Sequence, residues 1–166
     1  MELRDMLEKV RTGEVSVGEA ERYFARKPFE DMGYVKLDTQ REIRSGYPEV
    51  VYCSGKADGH LLRIFEALYR ENGEVLGTRA TKEQYELVRK SIPDIRYDEI
   101  SRILKIERPD RAQGGLIAVC TAGTADIPVA EEAAQTAEYF GNRVERIYDV
   151  GVSGIHRLLS KVDAIR

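Results

Sequence analysis

The sequence predicts an α/β protein: a small N-terminal α/β domain preceded by helices, then the first β-α-β-α portion of a parallel three-layer sandwich. Three observations carry that expectation. Between Tyr34 and Arg108, short β-branched and aromatic runs alternate with stretches of helical period. The stretch GLIAVCTAG (115–123) is a nearly continuous apolar run, the signature of a strand buried on both faces. From there the order of run, turn-prone loop and helical stripe occurs twice, giving β-α-β-α. The chain divides on this reading into a helical segment (1–29), a small α/β domain (30–110) and a third portion (115–166).

The elements follow in order. Leu3, Met6, Leu7 and Val10 repeat at helical spacing until Thr12-Gly13 breaks the run. Ser16 and Glu19 form an S-x-x-E capping box ahead of Ala20, Tyr23 and Phe24, and Pro28 closes the second helix. YVKLD alternates, REIRSGYPE is polar with a turn, and VVY (50–52) is a short strand before Cys53-Ser54-Gly55-Lys56. Leu61, Ile64, Phe65 and Leu68 mark one face of a helix that Asn72-Gly73 ends. EVLGTRA predicts a strand, Thr81 with Gln84 a second capping box, and residues 102–106 a late strand. PDRAQGG (109–115) has linker composition. DIPVAEEAAQTAEYFG places Val129, Ala133, Ala137 and Phe140 on one helical stripe with Gly141 as the stop. RVERIYDVGV is the next strand, and IHRLLSKVDAI begins a helix. Two parallel strands and two helices make a poor fold alone, because a parallel sheet is normally covered on both faces. The expectation is a piece of a longer protein, with completion by a partner chain as the alternative.

Bulk properties bound the function. The 166 residues are 42% hydrophobic and 33% charged, the mix of a globular protein. No apolar run approaches a membrane span and the start lacks a signal-peptide core, so the cytoplasm is the expected compartment and no membrane partner is expected. A net charge of −3 argues against a nucleic-acid footprint but leaves room for a small anion held by local cations. Two cysteines make no disulfide framework, and two histidines give no metal spacing. No metal site is expected.

Three local constellations carry chemistry. Gly123 and Thr124 follow the apolar run, where α/β proteins bind ligands, and the helix opened by Asp126 and Pro128 favours an anion. Thr124 or Asp126 acting merely as a helix cap is an equal reading at this point. No Walker lysine follows, so the loop is no P-loop. The second loop, YDVGVSGIHRLL (148–159), occupies the equivalent place after the next strand, so the two should share one sheet edge. His156 there suits proton transfer near neutral pH, and Arg157 suits a carboxylate or phosphate. A histidine at a helix start beside a solvated arginine is the plainer alternative. In the third constellation Arg41, Arg44 and Lys56 surround turn-forming residues and Glu49, a set fit for an anion or simply a charged surface. Cys120 lies within the apolar run and reads as a buried, inert thiol. Cys53, beside Gly55 and Lys56, is the better candidate for a lowered pKa.

Together, AGTADIPVAEEAAQTAEYFG, YDVGVSGIHRLL and D-x-x-R-x-x-R-x-G-Y-P-E-V-V-Y resemble the synthases of pyridinium-3,5-biscarboxylic acid mononucleotide, which begin nickel-pincer cofactor assembly for lactate racemase-type enzymes. The resemblance covers roughly residues 30–166. It makes residues 115–166 an incomplete nucleotide-binding domain similar to carboxyaminoimidazole ribonucleotide mutase. It implies a carboxylase and hydrolase that adds CO2, drawn from bicarbonate, to the pyridinium ring of nicotinic acid adenine dinucleotide and releases AMP. On that likeness Gly123, Thr124 and Asp126 hold a phosphate or ribose, and His156 and Arg157 line the same pocket. His156 and Asp126 are the catalytic candidates, and Arg41, Arg44, Glu49 and Lys56 close over the dinucleotide. No tightly bound cofactor is implied. Magnesium beside the phosphates is allowed, although no carboxylate cluster demands it. A homo-oligomer, an octamer by resemblance, is implied as well. The family's nucleophilic cysteine matches neither Cys53 nor Cys120 in position. The competing functional readings are a non-catalytic nucleotide-binding subunit and a carboxyaminoimidazole ribonucleotide mutase-like enzyme.

Overall fold

The computed structural model describes residues 3–24, 29–39, 41–108, 111 and 114–165, leaving aside the side chains of Ile43 and Arg44. The chain forms two compact units, Met1–Glu49 and Val50–Arg166. It is a mixed α/β protein with both parallel and antiparallel strand pairs.

In the first unit, α1 (Leu3–Thr12) and α2 (Val17–Phe24) form a helical hairpin with Met6 and Ala20 buried. Gly13, at φ 79°, supplies the left-handed turn between them. The capping box forms as its spacing predicts: the Glu19 amide donates to Ser16 Oγ at 3.3 Å and the Ser16 amide to Glu19 Oε2 at 2.9 Å. Hydrogen bonds donated by the Ser16 amide and hydroxyl hold the Glu19 carboxyl below its usual range. Pro28, the expected stop, lies outside the described residues. Strands β1 (Glu30–Asp31) and β2 (Lys36–Leu37) pair antiparallel, Glu30 opposite Leu37. The polar stretch after them is not a plain turn but a short helix, α3 (Arg41–Ser45). Ser45 Oγ donates back to the Arg41 carbonyl at 2.9 Å, and the Gly46 amide, at φ 78°, closes on Glu42 at 2.8 Å. Local capping, invisible to apolar periodicity, makes that helix.

The second unit opens with a four-stranded sheet in the order β3 (Val50–Tyr52), β4 (Val75–Thr78), β6 (Ile103–Ile106), β5 (Arg96–Asp98). β3 and β4 are parallel, and the remaining pairs antiparallel. The crossover from β3 to β4 is α4 (Asp58–Asn72), which buries Leu61, Ile64, Phe65 and Leu68 on the face its spacing predicts. Gly73, at φ 69°, ends it by donating to the Tyr69 carbonyl at 2.8 Å. The helix sits so close to the sheet that a Cβ at Gly77 would lie 2.5 Å from Phe65 Cζ and 2.8 Å from Cys53 Sγ. The predicted box of Thr81 and Gln84 caps α5 (Lys82–Arg89) at 3.2 and 3.0 Å.

A parallel pair follows, β7 (Leu116–Cys120) with β8 (Arg143–Ile147), in register from Leu116–Arg143 to Cys120–Ile147. Helix α6 (Ile127–Tyr139) connects them, and α7 (Ile155–Leu159) and α8 (Val162–Ile165) end the described chain, so the β-α-β-α order holds. Two expectations here are corrected. β7 is largely exposed rather than covered on both faces, with Leu116 58% accessible, because β8 is its one neighbour among the described residues. The buried stripe of α6 is Ala130, Ala134 and Tyr139, while Val129 is 58% exposed, one position away from the expected stripe. Packing sets this phase. The end of α6 is drawn onto the four-stranded sheet, where Tyr139 joins Leu76 and Ile103, with Val50 and Phe140 against them.

A charged clamp reinforces that junction. Glu74, fully buried just before β4, accepts from Arg111 through both carboxylate oxygens at 2.5 and 2.6 Å. The Arg111 guanidinium also lies 5.2 Å from the Tyr139 ring centre and 5.6 Å from that of Phe140. Arg108 approaches Glu74 at 3.4 Å and donates to the Asn72 carbonyl at the end of α4, where a cation suits the helix dipole. Burial and the neighbouring Glu74 carboxylate push the Tyr139 phenol well above its usual range.

Candidate functional site

The carboxyl ends of β7 and β8 lead into two loops that the backbone ties together. The Val150 amide donates to the Thr121 carbonyl at 2.9 Å and the Gly151 amide to the Ala122 carbonyl at 3.0 Å. The ladder thus runs on past the strands. Gly151 is required by that approach, since a Cβ there would lie 2.6 Å from the Ala122 oxygen. The buried Thr121 accepts from the Asp149 amide through Oγ1 at 3.1 Å, and Asp149 takes the left-handed conformation at φ 60°. The expectation that the loop after β7 and the loop of residues 148–159 share one sheet edge is met by the backbone where residues 121–122 meet 150–151.

On the β7 side, Thr124–Asp126 form a single 3₁₀ turn before α6, with Pro128 in its first turn. Asp126 Oδ2 accepts from the Gly123 amide at 3.1 Å, so the carboxylate closes the loop on itself. Asp126 stands just before α6 but its side chain caps no amide of that helix, and its exposed position leaves the loop open to solvent. A groove of about 410 Å³ runs beside it, between Val119 and Cys120 of β7 with the following Thr121, and Val129 and Ala133 of α6 with the preceding Asp126. The Val129–Ala133 side of α6, expected in the core, lines this groove instead.

On the β8 side, His156 is exposed in α7. The next residue, Arg157, forms an ion pair through Nη1 with the Asp149 carboxylate. Its guanidinium lies over Gly154, where a Cβ would meet Nε at 2.6 Å. Behind the crevice, Arg146 and the Tyr148 hydroxyl donate to Glu131 at 2.9 and 2.8 Å, and Arg146 also to Glu138 at 2.5 Å. Burial opposes ionisation of Glu131, but these donors win and hold its carboxyl below the usual range. Burial and the bond to Glu131 push the Tyr148 phenol up to about 12. The effect is to pin α6 to β8, fixing the two loops at one spacing.

The remaining predicted residues are placed as follows. Arg41, at the start of α3, is exposed, and the Arg44 side chain lies outside the described residues. Glu49 accepts from the Asp38 amide at 2.8 Å, so it braces the segment after β2. Lys56 follows β3 in the second unit, half-buried, its amide bonded to the Cys53 carbonyl at 3.1 Å. Both cysteine expectations reverse. Cys53 is fully buried, and burial pushes its thiol up to about 12 despite the opposing charge of Lys56. Cys120 is exposed, because the β7 face on which it stands is uncovered. Among the described residues no group of His, Cys, Asp and Glu side chains could hold a metal ion, and no helix is long and apolar enough to cross a membrane. Sequence reasoning missed Thr121 and Asp149 as parts of the crevice. An aspartate eight residues before an arginine carries no periodic signal, and the contact exists only because Asp149 adopts a left-handed turn.

Comparison with known proteins bears on both halves of the chain. Over 166 aligned positions it is 36% identical to an uncharacterized protein of Methanocaldococcus jannaschii, an alignment that takes in 94% of this chain and 64% of that protein. The chain thus spans less than two thirds of the length of this relative. Residues 29–108, from just before β1 to just after β6, match the model of the LarB/PurE-like N-terminal domain.

Proposed function

We propose that this chain forms the nucleotide-binding part of a carboxylase and hydrolase that acts on nicotinic acid adenine dinucleotide. The reaction adds CO2 to the pyridinium ring and releases AMP, giving pyridinium-3,5-biscarboxylic acid mononucleotide. The observation that carries the reading is the joining of the two loops. Backbone bonds from Val150 and Gly151 to Thr121 and Ala122 join the loop that leads into Gly123–Asp126 to the loop that leads into His156–Arg157, at the carboxyl ends of parallel strands. The LarB/PurE-like match over residues 29–108 supports it independently.

On this reading the substrate's phosphates lie along the crevice. The first turn of α6, with Gly123 and Thr124, receives one phosphate through amide and hydroxyl donors. Arg157 supplies the guanidinium for the second. Water attacks phosphorus, the bond to the bridging oxygen breaks, and AMP leaves. Asp126 takes the water proton and His156 returns one to the departing phosphate. Lys56, in the same unit as the crevice, recognises a further anionic group of the dinucleotide. CO2 or bicarbonate is the co-substrate, magnesium a further requirement to be tested, and a homo-oligomer the working assembly.

Two measurements test the reading. Calorimetry with nicotinic acid adenine dinucleotide and this chain is expected to show saturable binding that Arg157→Ala weakens. A chain spanning the full length of the relative, given the dinucleotide and bicarbonate, is expected to release AMP above a no-enzyme control. No AMP release removes the assigned reaction, and no binding removes the assigned substrate class.

A further inference from the structure

Arg157 is aimed from two sides, one of them by an absent side chain. Its Nη1 pairs with the Asp149 carboxylate, which is itself fixed by the hydrogen bond from the Asp149 amide to the buried Thr121 Oγ1 at 3.1 Å. Its Nε lies where a Cβ on residue 154 would be, at 2.6 Å, with Nη2 at 3.1 Å and Cζ at 3.2 Å. Gly154 takes φ −129° and ψ 64°, so no positive φ demands a glycine here. The neighbouring Gly151 is different. A Cβ there strikes the Ala122 carbonyl, which is backbone and cannot give way. At position 154 the struck atoms belong to the far end of a long side chain, which can swing aside while the backbone stays.

We propose that Gly154 is a positioning residue for Arg157: the missing Cβ leaves the space that the guanidinium needs to reach Asp149 and face the crevice. This rests on the reading that Arg157 contacts an anionic group of the ligand. A side chain at 154 leaves the fold intact and displaces the charge, which makes this position a determinant of anion affinity rather than of stability.

The test is a double-mutant cycle in this chain, with nicotinic acid adenine dinucleotide as the probe in calorimetry and thermal unfolding as the fold control. Arg157→Ala is expected to weaken binding about ten-fold, the scale of one charge-assisted hydrogen bond. Gly154→Ala is expected to weaken it by a comparable factor with an unchanged melting temperature, and the double variant to match Arg157→Ala alone. Gly151→Ala is the contrast, lowering the melting temperature whether or not Arg157 is present. If Arg157→Ala weakens binding but Gly154→Ala does not, or if the two effects multiply, the positioning role is overturned while the binding reading stands. If wild-type protein fails to bind, or Arg157→Ala binds normally, both fall together. Should Gly154→Ala melt early, Gly154→Ser and Arg157→Lys at matched stability decide: no loss in either overturns the proposal.

Discussion

Removing the cation from the Glu74 clamp provides the sharpest test of how the second unit is held together. Arg111→Met keeps most of the side-chain volume, and its thioether still packs on Tyr139 and Phe140. It deletes both short hydrogen bonds to Glu74, whose side chain has no exposed surface. Breaking a buried pair by removing one partner typically costs about 3–5 kcal/mol, because the remaining charge is stranded. Arg108 stays at 3.4 Å but is 43% exposed and also engaged by the Asn72 carbonyl, so it offsets part of the loss. The expected cost is therefore near the lower limit, about 3 kcal/mol. Replacing both partners tells a different story. Glu74→Gln with Arg111→Met leaves no stranded charge and is expected to cost about 1 kcal/mol, the scale of an ordinary lost hydrogen bond. Urea unfolding followed by circular dichroism measures both. A double variant no more stable than Arg111→Met alone would refute the reasoning, since it would mean that packing, not charge, sets the cost.

Three further outcomes follow from the packing of the second unit. Gly77→Ala is expected to lower stability by about 1–3 kcal/mol, since its Cβ would press on Phe65 and Cys53; a melting temperature equal to wild type would show that α4 lifts off the sheet freely. With a thiol reagent at pH 8, native protein should be modified at Cys120 and not at Cys53, and unfolded protein at both. The same burial gives a pH dependence. The folded Cys53 thiol ionises only near pH 12, whereas the unfolded one does so near 9. The folded state therefore binds the extra proton, and stability falls as pH rises from about 9 towards 12. Cys53→Ala should flatten that slope.

Much of the fold was legible because its signals are local. Both capping boxes, the face of α4 and the glycine stop at residue 73 depend on residues a few positions apart, and all four form as their spacing predicts. What was illegible depends on neighbours distant in the chain. The phase of α6 is set by Tyr139 meeting Leu76 and Ile103, a contact no periodicity within α6 encodes. The apolar run around Cys120 points to burial, yet burial of a strand depends on how many strands flank it, and Cys120 is exposed. At the crevice, the pairing of the loops followed from topology, whereas the Asp149–Arg157 ion pair needed a backbone turn that sequence does not announce.

The uncovered β7 strand has a practical consequence. Leu116 and Ile117 stand exposed on a strand that is paired along one edge only among the described residues. Such an edge offers a template to any extended segment that reaches it. Concentration, more than temperature, will then limit how long the isolated chain stays dispersed, and a lysine placed at position 117 should widen that range without touching the crevice.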